Sequence, residues 1–169
     1  GNALIEQKKE LILHCDVKKN DRLFYFTSTG WMMWNWLVAG LSCEASLYLY
    51  DGSPFYKDIG CLIKYCEQHQ FTLFGVSAKY IDYLKKEKFS AQEYKLDKLR
   101  TITSTGSPLV KESFVYVYEH IKKDVHLGSI SGGTDVVGVI NICNIVVYCL
   151  YKYVKCKNTI KIFGYIKCH

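Results

Sequence analysis

Short apolar runs alternate with longer amphipathic or largely apolar segments along most of the chain. Five short runs rich in β-branched and aromatic residues are predicted to be strands: 22–27, 45–50, 72–76, 99–104 and 125–130. The segments before and between them are predicted to be helices: 3–14, 31–43, 58–69, 78–87 and 109–123. Strands that alternate with helices form β-α-β units, in which the strands run parallel and the helices cover the faces of the sheet.

The pattern therefore predicts an α/β fold with an open, doubly wound, mostly parallel sheet and helices on both faces. Ligands of such sheets bind beyond the carboxyl ends of the strands. Three predicted loops meet at that edge: 27–31 (TSTGW), 103–108 (TSTGSP) and 129–135 (SISGGTD). Each loop combines glycine with hydroxyl side chains and exposed backbone N–H groups, which suit phosphate oxygens.

Two interpretations of the last loop stay open. In the first, Thr134 donates to a phosphate and Asp135 holds a hard cation such as Mg²⁺ through oxygen. In the second, Gly132-Gly133-Thr134-Asp135 is an ordinary strand-to-helix turn with Thr134 or Asp135 as the helix N-cap. Thr-Gly-Ser-Pro is also a common turn sequence when taken alone.

Composition and charge narrow the function classes. A chain of 169 residues with 49% hydrophobic content can build the core of one domain. The net charge of +6 comes largely from residues 141–169, which hold five lysines and no acid, whereas residues 1–140 hold 17 basic and 16 acidic groups. No nucleic-acid-binding module accompanies the basic tail, so no nucleic acid partner is expected.

Eight cysteines are present, and none is spaced as the C-x-x-C pair of a zinc or redox motif. The chain also begins without a signal-peptide pattern. Free thiols in a reducing, cytoplasmic setting are therefore expected.

The end of the chain differs from the rest and leaves three alternatives open. Residues 136–151 are 16 uncharged residues followed by lysines, which is short for a membrane span of about 20 residues, so a membrane partner is not expected. A buried strand or helix is the second alternative. The third is translated non-coding sequence, because 17 of the last 29 residues are Ile, Lys, Asn or Tyr, which have AT-rich codons.

Four segments, STGWMMWNWLVAGL, LYDGSP, ITSTGSPL and GSISGGTD, occur in an order and at separations that resemble the acetoacetyl-CoA synthetases, a branch of the adenylate-forming acyl-CoA ligase superfamily. The resemblance covers residues 1–139, which it identifies as a partial AMP-binding (adenylation) domain, an internal piece of such a ligase. It ends before residues 140–169, a divergent basic tail. The implied reaction uses ATP, Mg²⁺ and CoA: acetoacetate attacks the α-phosphate of ATP, giving acetoacetyl-AMP and pyrophosphate, and the CoA thiol then displaces AMP.

The resemblance also implies roles for individual residues. The nucleotide-binding positions are Gly106, Ser107, Pro108, Ser131, Gly132, Gly133 and Thr134. The acyl pocket is formed by Trp31, Met32, Met33 and Gly132, and Gly132 stands where acetyl-specific relatives have a tryptophan, which leaves room for a longer acyl group. Asp135 is the implied Mg²⁺ ligand, where most of the superfamily has glutamate. Trp34 and Trp36 are expected to pack in the core instead.

Three parts of the family pattern have no counterpart in this sequence. The phosphate loop would precede Gly1, and the ribose-binding aspartate and the catalytic lysine would follow Val139, so no catalytic residue is assigned. The alternatives to an active ligase are a non-catalytic nucleotide- or acyl-binding module and an inactive truncated product.

Overall fold

A single parallel sheet forms the centre of the protein. The computed structural model describes residues 1–135 and 137–141. The strands of the central sheet are β1 (Arg22–Tyr25), β2 (Ser46–Tyr48), β3 (Leu73–Ser77), β4 (Thr101–Thr105) and β5 (His126–Ser129). They are hydrogen-bonded in the order β2-β1-β3-β4-β5, and all four pairings are parallel. The chain thus moves to one side of β1 first and then returns to build the other side, as a doubly wound sheet requires.

Five helices connect or precede these strands: α1 (Asn2–Lys9), α2 (Met32–Ala39), α3 (Cys61–His69), α4 (Ala78–Lys86) and α5 (Lys111–Tyr116). Three of them continue into short irregular turns, a π-helical Glu10–His14, a 3-10 Gly40–Cys43 and a π-helical Val117–Ile121. All ten predicted elements are present, with ends that differ by a few residues.

The strands carry side chains to two separate cores, because successive side chains of a strand point to opposite faces. In β1, Leu23 and Tyr25 pack in a core with residues of α2 and of the turn that follows α1, while Phe24 packs in a second core with residues of α3, α4 and the α5 region. Trp36 of α2 is fully buried in the first core, as predicted, and Trp34 is half-buried. The predicted α/β fold with helices on both faces is therefore confirmed.

A β-hairpin follows the sheet. Residues Ser131–Gly133 form β6, and Gly138–Asn141 form β7, which pairs with β6 in antiparallel orientation. The interpretation of Gly132 to Asp135 as a strand-to-helix turn is therefore wrong. A strand and not a helix follows the turn because of the sequence after Asp135. Valine, isoleucine and glycine disfavour a helix there, and the β-branched residues favour a strand.

Among the described residues, no helix is long and apolar enough to cross a membrane. The three alternatives for the tail concern the chain from residue 136 onward. Of that part, residues 137–141 are described and include β7. Residues 136 and 142–169 lie outside the described residues, so the alternatives stay open there. The cysteines of the described part, Cys15, Cys43, Cys61 and Cys66, are free thiols, as expected.

Candidate functional site

A cleft of about 670 Å³ opens at the carboxyl ends of β4 and β5. Its size is that of a small-molecule site, for which about 300–1,000 Å³ is typical. The lining residues come from three separate segments of the chain: Trp31, Met32 and Met33; Thr105, Gly106, Ser107 and Pro108; Ser129, Ile130, Ser131, Gly132, Gly133 and Thr134. All ten residues predicted to bind nucleotide or acyl group therefore line one cleft.

The loop 106–108 forms the rim of the cleft after β4. Gly106 has φ +85°, a left-handed conformation that side chains other than glycine's rarely adopt, and the space around it is open. The loop is fastened to β5 because the backbone N–H of Leu109 donates to Ser129 Oγ at 3.4 Å. A ligand can consequently approach the backbone of this loop closely.

The hairpin turn carries Thr134 and Asp135, which are both exposed. The turn is closed by a hydrogen bond from the backbone N–H of Val137 to the carbonyl of Thr134 at 3.1 Å. It is also tied to α1, since the buried side-chain amide of Gln7 donates to the carbonyl of Val137 at 2.9 Å. Thr134 lines the cleft, and Asp135 lies one residue beyond the lining.

The beginning of α2 supplies an apolar wall. Trp31 caps the helix and is 72% exposed, Met32 is half-buried, and Met33 is buried in the core shared with Tyr25 and Ile130. Gly132 is exposed and also lines the cleft, from β6. The pairing of β6 with β7 is irregular between Ser131 and Gly132. Residues 27–30 of the predicted first loop do not line the cleft, so that loop contributes through Trp31 alone.

Three lining residues were not predicted as site residues: Thr105, Ser129 and Ile130. Thr105 and Ser129 are the last residues of β4 and β5, and the sequence does place them in the loops at the ligand edge. Which of two neighbouring residues at a strand end faces a ligand depends on strand register, and the sequence does not reveal that register.

No charged side chain lines the cleft among the described residues. The donors available to a phosphate are therefore hydroxyl groups and backbone N–H groups, together with the positive end of the α2 dipole. The described residues also contain no cluster of three or more His, Cys, Asp or Glu side chains.

Several known proteins are similar to this chain, although no protein-family model matches it. It is 54% identical over 138 residues to an acetoacetyl-coenzyme A synthetase of Rhizobium meliloti and 47% identical over 138 residues to the acetoacetyl-CoA synthetase of Gallus gallus; each match covers 81% of this chain. A malonamoyl-CoA synthetase of Penicillium aethiopicum is 40% identical over 150 residues. The chain spans about a fifth of the length of these curated relatives.

The fold gives the same result. It matches the structure of acetoacetyl-CoA synthetase from Streptomyces lividans with a TM-score of 0.81 and 38% sequence identity, over 85% of this chain and 23% of that one. Over the matched residues, sequence and fold agree on one assignment: the chain belongs to the acetoacetyl-CoA synthetase family of the adenylate-forming acyl-CoA ligases.

Proposed function

We propose that the cleft binds ATP and acetoacetate and serves the ATP-dependent formation of acetoacetyl-CoA. The acetoacetate carboxylate attacks the α-phosphate of ATP and expels pyrophosphate, and the thiol of CoA then attacks acetoacetyl-AMP and expels AMP. The observation that carries this proposal is the convergence of ten residues, from three distant segments, on one cleft. We assign residues 1–139 to the AMP-binding domain on the same ground.

The nucleotide part of the cleft works by positioning. Phosphoryl transfer needs placement and charge stabilisation more than a protein nucleophile. The backbone of Gly106 to Pro108 offers a close wall for the adenosine, and the hydroxyl of Thr134 donates to the phosphate that becomes part of the adenylate. Ser131 and Gly133, the first and last residues of β6, line the cleft before Thr134 of the turn, and we assign their polar groups to the same phosphate.

Mg²⁺ fits this arrangement because the lining itself has no positive side chain. The carboxylate of Asp135 is the group that would hold the ion at the rim, and the bound ion would neutralise the polyphosphate charge.

The acyl part accepts a short keto acid. Met32 and Met33 provide flexible apolar contacts, and Gly132 leaves space where a large side chain would close the pocket. The names of the relatives support a shared substrate class, since the acetoacetyl and malonamoyl groups both carry a carbonyl at C3. The free thiols support a reducing compartment, and we propose the cytoplasm.

A stable analogue of the adenylate tests the proposal. We expect the chain to bind 5'-O-(N-acetoacetylsulfamoyl)adenosine saturably in isothermal titration calorimetry, with AMP as a weaker competitor. Absence of binding by a folded chain, shown by a cooperative thermal transition, would contradict the proposal.

Exchange of Asp135 for asparagine tests the metal role. We expect the variant to bind ATP in the presence of Mg²⁺ at least about tenfold more weakly, because loss of even indirect support of a metal site costs about 10–100-fold in affinity. Binding of AMP without Mg²⁺ should remain unchanged. An equal loss for both ligands would show that Asp135 acts on the fold of the turn and not through the cation.

A non-catalytic binding module is the second candidate, and an inactive truncated product the third. Measurement of pyrophosphate release with ATP, Mg²⁺ and acetoacetate separates the candidates. Acetoacetate-dependent release indicates a ligase, saturable analogue binding without release indicates a module, and neither indicates an inactive product.

A further inference from the structure

Tyr25 of β1 reaches across the sheet to the cleft. Its hydroxyl lies 3.0 Å from Oγ1 of Thr105 at the end of β4, although β3 lies between the two strands. Tyr25 is 4% exposed, whereas Thr105 is half-buried and lines the cleft. A buried residue that the ligand cannot touch is thus connected directly to one that it can.

The glycine of β3 makes this reach possible. Gly75 is paired in register with Tyr25 on one side and with Thr103 on the other. A Cβ atom at Gly75 would lie 2.1 Å from Cδ2 of Tyr25, so the aromatic ring occupies the space that a side chain would need. The absence of a side chain at Gly75 therefore allows the tyrosine ring to cross β3.

The ring of Tyr25 is held in place by Trp36 in the core. It packs edge-to-face against Trp36 with 5.9 Å between ring centroids, and the indole N–H of Trp36 donates to Glu10 Oε2 at 2.8 Å. Burial also raises the pKa of Tyr25 well above its usual value, so its hydroxyl keeps its proton at all ordinary pH values. Tyr25 is consequently a fixed and permanently protonated group.

Either hydroxyl could donate in the hydrogen bond between Tyr25 and Thr105. The choice depends on which buried protons have an acceptor, because a buried proton without one costs free energy. Thr105 Oγ1 is an acceptor at hydrogen-bond distance for the Tyr25 hydroxyl, and the buried Oγ1 of Thr103 also interacts with that hydroxyl. When Thr103 donates to the Tyr25 oxygen and Tyr25 donates to Thr105, each buried proton has an acceptor, so we assign the bond in that direction. When Tyr25 donates to Thr105, the hydrogen of the threonine hydroxyl is available to the cleft. The pair therefore presents a donor, which matches a ligand group that accepts hydrogen bonds, such as a carbonyl oxygen.

Thr105 is linked, through Tyr25, to the side of the sheet that is covered by the beginning of α2, the apolar wall of the cleft. Its partner Tyr25 shares a core with Met33 and Ile130, and Met32 packs against that core. Of the other lining hydroxyls, those of Ser107, Ser131 and Thr134 belong to exposed residues. Ser129 contacts the backbone of the loop after β4, since its oxygen accepts the N–H of Leu109, whereas Thr105 is held by a buried side chain. Thr105 is thus the oriented donor beside the apolar residues of the acyl pocket.

We propose that Thr105, held by Tyr25, determines acyl specificity by donating a hydrogen bond to the C3 carbonyl of a short 3-oxo acid. This inference rests on the function proposed above. Tyr25 is a positioning residue, because it acts on the ligand through Thr105. The pair selects acids with an acceptor at C3 over the saturated acids of equal length.

Two adenylate analogues that differ only at C3 test the inference: 5'-O-(N-acetoacetylsulfamoyl)adenosine and 5'-O-(N-butyrylsulfamoyl)adenosine. In calorimetry on the full chain, we expect the acetoacetyl analogue to bind about tenfold more tightly, the usual effect of one uncharged hydrogen bond. Thr105→Val should remove this preference while affinity for the butyryl analogue stays within about twofold, because valine keeps the shape of threonine and lacks the hydroxyl. Thr105→Ser should retain the preference.

The variant Tyr25→Phe keeps the buried ring and removes only the hydroxyl, so it separates the positioning of Thr105 from the packing of the core. We expect it to reduce the preference for the acetoacetyl analogue while leaving the affinities for AMP and for the butyryl analogue unchanged. If Tyr25→Phe fails to fold, the comparison of Thr105→Val with Thr105→Ser still decides the inference.

Two results overturn the inference while the proposed function stands: equal affinity of the unmodified chain for both analogues, or a preference that survives in Thr105→Val. If the unmodified chain binds neither analogue, the proposed function itself fails, and the inference fails with it.

Discussion

Replacement of Trp36 by alanine is expected to lower the free energy of unfolding by about 4 kcal/mol, within the range of about 3–5 kcal/mol for loss of a buried aromatic side chain. Trp36 is fully buried in the core that α2 shares with β1 and with the turn after α1. It contacts the ring of Tyr25, and its N–H donates to Glu10, a carboxylate that is itself only 1% exposed. The substitution therefore leaves a cavity and also removes a hydrogen-bond donor from a buried carboxyl group.

The same helix offers a matched control. Trp31 stands at the start of α2 and is 72% exposed, so Trp31→Ala should change the free energy of unfolding by no more than about 0.5 kcal/mol. Urea unfolding followed by circular dichroism measures both variants. Equal losses for the two substitutions would contradict the burial of Trp36 in the core and the exposure of Trp31 at the start of α2.

Much of the fold could be predicted because the local patterns agree with the final structure. The strand containing Phe74 and Val76 is an apolar run, and the helix containing Ile81 and Leu84 has its apolar residues on one face, so each sequence pattern predicts its element without knowledge of the rest. Parallel strands and short connections then leave few arrangements of the sheet. The convergence of loops 103–108 and 129–135 follows from that topology alone.

The hairpin was harder to predict. Gly132 to Asp135 suits a helix N-terminus as well as a tight turn. The β-branched residues after Asp135 favour a strand, but propensity does not show which strand it pairs with. The pairing of Ser131 with Asn141 across the turn is seen only in the folded structure.

The Tyr25–Thr105 contact lay still further beyond sequence reasoning. It joins residues 80 positions apart and requires Gly75 on the strand between them. Each of the three residues is ordinary in a strand. Their relation follows from the order β1-β3-β4 and from the register of both pairings, so it could be recognised only in the folded structure.

Substitution of Gly132 by tryptophan is the second change with a large expected effect. Gly132 of β6 lines the same cleft as Met32 and Met33 of α2. Tryptophan has one of the largest side chains, burying about 150–250 Å² of surface, so at this position it would occupy space in the cleft that glycine leaves empty. We expect affinity for 5'-O-(N-acetoacetylsulfamoyl)adenosine to fall at least about a hundredfold, because overlap with a bulky residue excludes the acyl group and with it the C3 contact.

Two comparisons assign that loss to the acyl group. Gly132→Ala changes the same backbone position with a single methyl group, and it should bind the analogue nearly as well as the unmodified chain does. AMP has no acyl group, so its affinity should be unchanged in Gly132→Trp. A parallel loss of AMP binding would mean that the tryptophan distorts the hairpin and displaces Thr134, which lies two residues further along the same lining. Loss of the acyl analogue alone would place the acyl pocket between Gly132 and the beginning of α2, where the geometry of the cleft leaves space for a four-carbon acid.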